Sequence, residues 1–291
     1  MSSVDLPPEA VDAPRGLDGH RRPTLPLPLP PGHSDHRRAR WLVWLGGLAV
    51  MAWSLAGTGV GPRSLVAGRG GAARLLGGLL PPEVSGALLA RLLTAMVETV
   101  QISFAALLLG ALLGLPLALL IAGNVAAPGW LASAARVTAA GLRGVPELLW
   151  ALLFVATVGL GPAAGAYAIG LHAAGMIAKL CSEQLEAVDR APVEALQVTG
   201  ASHLATTALA IIPQARNGLA SLLLYQWECN IRSSAVVGFV GAGGIGQALG
   251  IALHLFRYRE LATLLAAVLV LVLSVDRLSR LLRRRMGAAI R

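Results

Sequence analysis

The residues of this sequence that could do chemistry are ionisable and polar side chains placed in strongly apolar stretches. Such groups are costly in lipid and are candidates for function by default. The set consists of His172, Lys179, Glu228, Asn230, Arg232, Ser233 and Ser234. In a membrane protein, such a group of residues lines a polar path or pairs internally.

Each charged member of this set also has a structural interpretation. Arg232 can pair with Glu228, which lies one helical turn away, and Lys179 can extend its ammonium group to a membrane boundary. His172 can be a packed polar residue. Residues 228–232 follow Pro213 by 15 to 19 residues. That separation is a helical rise of about 22 to 28 Å and predicts a position past the middle of a bilayer.

Metal and nucleophile chemistry have little support in the sequence. Cys181 and Cys229 show no metal-type spacing, and we interpret both as buried thiols. His33 and His36 lie in a basic, proline-rich tail, where a solvated segment is expected. We find no convergent nucleophile and base, so we predict neither a metal site nor a catalytic site.

The glycine-rich stretch 241–246 (GAGGIG) matches the GxGxxG pattern of dinucleotide-binding folds. That fold needs a preceding strand and an acidic residue about twenty positions later. Glu260 comes too early, and the stretch lies within an apolar run. We therefore predict close helix packing through small residues.

The composition is that of a membrane protein. Hydrophobic residues make up 55% of the 291 residues, charged residues only 13%, and the mean hydropathy is +0.67. This departs far from soluble proteins. We predict an all-α polytopic membrane protein with about six transmembrane helices, because a bilayer core needs about 20 apolar residues per helix. The expected spans are residues 41–60, 92–122, 147–160, 163–180, 205–229 and 261–282, with the glycine-rich run 231–255 dipping partway into the membrane.

The arginines predict the orientation. Sixteen lie in the terminal segments and in loops on the same expected side, whereas six lie opposite. This excess predicts that both termini are cytoplasmic. The net charge of +9 then reflects orientation in membrane lipid, and no nucleic-acid binding is expected.

A polar segment, residues 182–204, interrupts the apolar chain on the same side. Glu194 falls in the first turn of a short predicted helix, Gly200 permits a bend, and Ser202 can cap a second helix that continues into the next span. The first helix and the bend present a small apolar surface, which implies a cytoplasmic partner. Its residues are Ala195, Leu196, Val198 and Ala201.

This segment resembles the EAA loop of ABC-importer permeases. Glu194, Ala195 and Leu196 are followed by Gly200 and, thirteen residues later, by Pro213, although Ala210 and Ile212 replace the usual isoleucine and leucine. Further stretches are similar to the phosphonate-type permeases of that superfamily: 98–103 (ETVQIS), 143–150 (RGVPELLW), 172–179 (HAAGMIAK), 193–196 (VEAL), 230–234 (NIRSS) and 240–246 (VGAGGIG).

The resemblance implies a type I importer permease with a methionine-permease-like core. Glu194, Ala195, Leu196, Gly200 and Ala201 would dock into the ATPase subunit. Two ATPase copies, a periplasmic or lipid-anchored substrate-binding protein and a second permease chain, identical or related, are the implied partners. The chain has no phosphate-binding loop, so ATP and Mg would be bound by the ATPase and no cofactor by this chain.

The resemblance also implies a division of the chain and a set of candidate solutes. Residues 1–40 would be a disordered cytoplasmic tail, 41–60 an accessory transmembrane helix, 61–91 an external connector, 92–285 the permease core and 286–291 a cytoplasmic tail. An inner-membrane location and a phosphonate, phosphite or phosphate solute follow. Arg232, Asn230, Ser233 and Ser234 would contact the anion, and Lys179 would draw it inward. Another small solute, such as methionine, and ATP-independent secondary transport remain open.

Overall fold

The computed structural model describes residues 34–59, 61–125 and 127–287. The chain divides into two compact units, residues 1–68 and 69–291. The long helices are α1 (Ser34–Thr58), α2 (Pro62–Leu79), α3 (Gly86–Ile121), α6 (Pro162–Glu186), α9 (Ile212–Val237) and α11 (Tyr258–Arg285). The shorter ones are α4 (Gly129–Gly144), α5 (Glu147–Val158), α7 (Arg190–Val198), α8 (His203–Thr206) and α10 (Gly244–His254). The described residues contain no strand, so the all-α prediction is confirmed.

The helix lengths agree with about six spans. Four segments are long and apolar enough to cross a membrane: Arg40–Thr58, Gly86–Ile121, Pro162–Glu186 and Tyr258–Arg285. Two bent pairs bring the number to six if each counts as one span. The helices α4 and α5 meet at 85°, and the segment His203–Val240 meets α10 at 41°.

Two sequence-based boundaries are wrong. The expected fifth span ended at residue 229, whereas α9 continues to Val237. The NIRSS stretch contains no helix breaker, and the chain bends only at residues 238–243, where Gly241 and Gly243 have positive φ. The structure also contains α4, which the sequence did not predict as a helix, and α3 begins six residues before the expected span, after its N-cap Ser85.

Hydrogen bonds between connections define the two ends of the second unit. At one end, the backbone N–H of Gly123 donates to Glu186 Oε1 at 2.8 Å, and Asn124 Nδ2 donates to the Leu185 carbonyl at 2.7 Å. At the other end, the Thr263 hydroxyl donates to the Glu83 carbonyl at 2.6 Å. The first end carries α7 and the arginine-rich C-terminus of α11, and we call it the α7 end.

Small residues let α3 and α6 pack closely through the centre of the unit. A Cβ atom on Gly114 would lie 2.7 Å from the Ala174 carbonyl oxygen, and one on Gly110 would lie 2.9 Å from Ala173 Cβ. Ala173 and Ala174 are fully buried. The backbones therefore approach each other as in other membrane helix pairs with small residues at their interface.

We expect Gly114→Ala to lower the thermal unfolding midpoint of the detergent-solubilised protein. The added methyl group meets a backbone carbonyl that cannot move aside, and overpacking of this kind costs about 1 to 3 kcal/mol. Gly141→Ala in α4 is the matched control, because nothing lies within 4 Å of its Cβ position. Equal midpoints for the two variants would contradict the close packing.

Candidate functional site

The polar segment 182–204 folds as predicted into a short helix, a bend and a second helix start. Asp189 caps α7, since its side chain accepts a hydrogen bond from the Ala191 N–H at 3.1 Å. After the bend, the Ser202 hydroxyl accepts from the Ala205 N–H at 3.3 Å and begins α8. Gln214 Nε2 reaches back to the Asp189 carbonyl at 3.4 Å and to the Ala210 carbonyl at 2.9 Å, so the base of α9 is tied to the start of α7.

Gly200 ends α7 in a left-handed conformation with φ of +81°. The Gly200 N–H donates to the Gln197 carbonyl at 3.0 Å, and the Ala201 N–H donates to the Leu196 carbonyl at 3.2 Å. This pair of bonds is the Schellman motif, which satisfies the last carbonyls of a helix and favours glycine at its left-handed position. The glycine is required here by its backbone conformation, because nothing lies within 4 Å of its Cβ position.

We expect Gly200→Val to weaken binding of the implied ATPase partner, whereas Gly200→Asn retains most of the binding. A β-branched residue is strained at positive φ, but asparagine tolerates the left-handed region. The measurement is binding of that partner to the purified protein, with solute uptake into proteoliposomes measured alongside. If valine and asparagine had the same effect, side-chain size at a contact and not the bend would explain the glycine.

Pro213 shifts the backbone hydrogen bonds where α8 leads into α9. Residues Thr207–Ile211 form a π-helical turn, and the Ile212 N–H donates to the Thr207 carbonyl five residues earlier. Proline has no N–H to continue the ladder, and π-turns are frequently found at functional sites. The proline of the EAA-type spacing therefore marks a change of helical register between α8 and α9.

The exposed apolar residues of the segment differ in part from the predicted set. Glu194 and Ala195 are exposed, but Leu196 and Ala201 are half-buried, and Leu196 packs against the cluster of Val193, Leu185 and Ile211. Val198 is 88% exposed, and Leu204, which the sequence did not single out, is 82% exposed. We call Glu194, Ala195, Val198 and Leu204 the coupling surface. The sequence feature that could have identified Leu204 is its position two residues after the helix cap Ser202.

The structure separates the polar residues of the NIRSS stretch. Asn230 and Ser234 are 1% and 2% exposed. The Asn230 amide lies 3.0 Å from the Gln226 amide, and neighbouring Trp227 donates through Nε1 to the Ser103 hydroxyl at 3.2 Å. The correction to the sequence-based grouping is that Asn230 and Ser234 lie between helices in this conformation, because α9 turns this face towards its neighbours.

Arg232 lies on an exposed face of α9, and the adjacent Ser233 is half-buried against α5. Arg232 is exposed, and its Nη2 atom lies 3.4 Å from Cys229 Sγ. The Ser233 hydroxyl donates to Glu147 Oε2 at 2.6 Å and links α9 to the start of α5. Within the described residues Arg232 makes no ion pair.

Glu228 pairs with Arg283 of α11, and the alternative in which Glu228 neutralises Arg232 is therefore wrong for this structure. The side chains of Arg283 and Glu228 are 12% and 11% exposed. Arg283 belongs to the last turn of α11. Glu228 thus lies beside the basic end of that helix.

His172 and Lys179 each contact a neighbouring polar group. His172 Nδ1 lies 3.2 Å from the Val145 carbonyl, at the 85° bend where Pro146 interrupts the helix. Trp150 Nε1 donates across the same bend to the Leu142 carbonyl at 3.3 Å. Lys179 Nζ lies 2.8 Å from Glu183 Oε1, and both line a cavity of about 390 Å³ with Arg136 and Arg143. The structure brings neither residue to Arg232 through a direct contact.

The GAGGIG stretch packs backbone against backbone and contains no strand. Gly241, Gly243 and Gly244 have positive φ, and a Cβ atom on Gly246 would lie 2.1 Å from the Ala235 carbonyl. The buried Thr99 hydroxyl accepts the Ile245 N–H at 2.9 Å and so joins the ETVQIS and VGAGGIG stretches. The prediction of close packing is confirmed.

Metal ligands do not cluster in the part of the chain that the structure describes, where no group of three or more His, Cys, Asp or Glu side chains could hold an ion. His33 and the side chain of His36 lie outside that part. Both cysteines are free thiols there. Cys181 is buried as predicted, but Cys229 is only half-buried, because it lies beside the exposed Arg232 on α9.

The bent spans, the exposed coupling surface and its EAA-type spacing define a membrane permease of the importer type. Residues 114–288 match the model of the binding-protein-dependent transport system inner membrane component, and the chain belongs to this family. It is the permease subunit of an ABC importer and a multi-pass protein of the inner membrane.

Curated relatives agree with this assignment. The chain is 38% identical over 212 residues to the phosphite transport system permease protein PtxC of Stutzerimonas stutzeri. The aligned region covers 73% of this chain and 76% of that protein. The chain is also 35% identical over 208 residues to the phosphate-import permease protein PhnE of Mycolicibacterium smegmatis. That aligned region covers 72% of this chain and 39% of that protein. The resemblance to phosphonate-type permeases is thereby confirmed.

Solved structures show the same fold. An inward-facing structure of the MetNI methionine ABC transporter superposes with a TM-score of 0.62 at 24% identity and covers 70% of this chain and 99% of that chain. An amino acid ABC transporter crystallised with histidines gives a TM-score of 0.58 at 23% identity, with coverage of 70% and 99%. The type I importer fold with a methionine-permease-like core is confirmed.

Proposed function

We propose that this permease imports a phosphorus oxyanion of the phosphite, phosphonate or phosphate class. The observation that carries the proposal is the exposed Arg232 on a spanning helix, whose one neighbouring carboxylate on α9, Glu228, pairs elsewhere. An exposed guanidinium group without a carboxylate partner can bind a phosphoryl oxyanion through two parallel hydrogen bonds. The names of the relatives support the same class of solute.

The exposure of Arg232 also supports a second permease chain. A charged side chain on a transmembrane helix faces a protein interior or a water-filled path, because lipid cannot solvate it. We therefore infer that this face of α9 meets an identical or related permease chain, with the solute path between them. Arg232 and Ser233 would line the path, and Asn230, Ser234, Lys179 and His172 would shape it from behind, whereas Glu228, paired with Arg283, would lie outside it.

Separate subunits would supply energy and solute. The coupling surface of each permease chain would dock into one of two ATPase copies, which bind ATP and Mg, and this chain would bind no cofactor. A periplasmic or lipid-anchored binding protein would deliver the anion at the opposite end. Both termini would be cytoplasmic, and residues 1–40, 41–60, 61–91, 92–285 and 286–291 would serve as the tail, accessory helix, external connector, core and second tail.

The test is uptake by the transporter reconstituted in proteoliposomes with its ATPase and binding protein. We expect ATP-dependent uptake of at least one of labelled phosphite, methylphosphonate and phosphate, and no uptake of methionine. Uptake of methionine alone would overturn the proposed solute class. Uptake at the same rate without the ATPase would instead favour secondary transport.

A further inference from the structure

We propose that Arg283 is a positioning residue for solute passage, acting through Glu228 on Arg232. The inference rests on the proposed import of an oxyanion. In this arrangement Arg283 holds the Glu228 carboxylate in an ion pair on the α11 side of α9. The charge of Arg232, which is exposed one turn further along α9, then stays available to the anion.

The Glu228–Arg283 pair lies in the packed interface between α9 and α11. One turn further along α9, Ile231 packs with Leu271 and Val275 of α11. Ser279, one turn before Arg283, is fully buried. A pair this well covered is screened little by solvent, and its two charges largely neutralise each other.

Two other carboxylates of this region have partners of their own. Asp276, two turns before Arg283, pairs with Arg280 at 2.7 Å, and Glu147 accepts the Ser233 hydroxyl. Arg232 is the cation on α9 that lies closest in sequence to Glu228. With Arg283 in place, Glu228 has a partner on a different helix, and Arg232 makes no ion pair with any residue that the structure describes and contacts the thiol of Cys229.

Removal of Arg283 would change the partner of Glu228. Glutamate and arginine four residues apart lie on the same side of a helix, and the order with the glutamate first is the favourable one. A carboxylate left alone in a covered site strongly favours a new cation, since an uncompensated buried charge is costly. Glu228 would then pair with Arg232 and repel the incoming anion.

This role predicts an asymmetry that a purely structural pair would not show. Arg283→Gln leaves an unpaired negative charge beside Arg232, whereas Glu228→Gln leaves an extra positive charge. The double variant with both glutamines has neither. Arg283→Gln should therefore reduce anion transport, whereas Glu228→Gln and the double variant should not. Arg283→Lys should retain anion transport because it keeps the positive charge.

The experiment measures oxyanion uptake into proteoliposomes at saturating loaded binding protein, with ATP hydrolysis recorded in parallel. We expect Arg283→Gln to lower uptake per ATP at least about tenfold, the effect of about 1.4 kcal/mol. For Glu228→Gln, the double variant and Arg283→Lys, we expect uptake per ATP to stay within about threefold of that of the unmodified protein. This is a smaller change than the tenfold loss expected for Arg283→Gln. Arg284→Gln, an exposed arginine of the same helical turn, is the matched control.

The outcomes separate this inference from the proposed function. If the unmodified transporter imports no phosphorus oxyanion, the proposed function fails. If it does and Arg283→Gln matches Arg284→Gln, or Glu228→Gln loses as much uptake as Arg283→Gln, the positioning role is overturned. If Arg283→Gln fails to assemble, the positioning role is tested with Glu228→Gln and the double variant. A tenfold loss of uptake in either variant contradicts the proposal.

Discussion

The double substitution Val198→Asp, Leu204→Asp is expected to abolish ATPase binding by the permease and, with it, ATP-driven uptake. These side chains are 88% and 82% exposed at the tip of the segment. Full burial of one such side chain contributes about 1.5 to 3 kcal/mol, and each 1.4 kcal/mol is about tenfold in affinity. Loss of both should weaken binding at least about 100-fold, and desolvation of the new carboxylates adds to that. The measurement is a binding titration of purified ATPase against the permease.

Ser133→Asp is the matched control for this double variant. Ser133 is exposed in the first turns of α4, at the α7 end of the molecule, and it lies outside the coupling surface. It introduces the same kind of charge at a position where we expect no effect on affinity. Unchanged ATPase affinity in the double variant would show that the segment does not dock, and the proposed coupling would have to be abandoned.

Arg232→Gln is expected to reduce oxyanion uptake at least about tenfold at saturating loaded binding protein, with ATPase assembly unchanged. Glutamine keeps hydrogen-bonding groups but loses the charge and the planar fork, and charge-assisted bonds are about twice as strong as neutral ones. Arg232→Lys should retain part of the rate, because it keeps the charge without the bidentate geometry. The measurement is initial uptake of labelled phosphite with the rate of ATP hydrolysis recorded in the same vesicles.

Arg277→Gln provides the comparison for Arg232, since Arg277 is an exposed arginine on α11, outside the proposed path. Uptake by Arg277→Gln should stay within about twofold of that of the unmodified transporter, because substitutions at exposed sites without partners usually have small effects. Normal uptake by Arg232→Gln would exclude anion contact at this residue. A loss of ATPase assembly in the same variant would point to folding and not to recognition.

Most of the local structure of the second unit could be predicted from the sequence. Asp189, Ser202 and Gly200 act through their own backbone or that of the next few residues, so their types and spacing are sufficient to predict the caps and the bend. Apolar length likewise predicts spanning helices. The continuation of α9 through residues 229–231 could not be predicted, because polar residues there are satisfied by α3, whose contact is more than a hundred residues away in the chain.

By itself, the sequence determined the helical class, the approximate number of spans, the EAA-type segment and the presence of an arginine in an apolar stretch, since all of these depend on composition and short spacing. The tertiary structure alone decided which polar residues are paired. It placed Asn230 between helices, joined Glu228 to Arg283 across 55 positions, and left Arg232 on the open face of α9. The physical reason is that the partner of a charge within a packed bundle is selected by helices that are remote in sequence, and only their packing shows which face of α9 they cover.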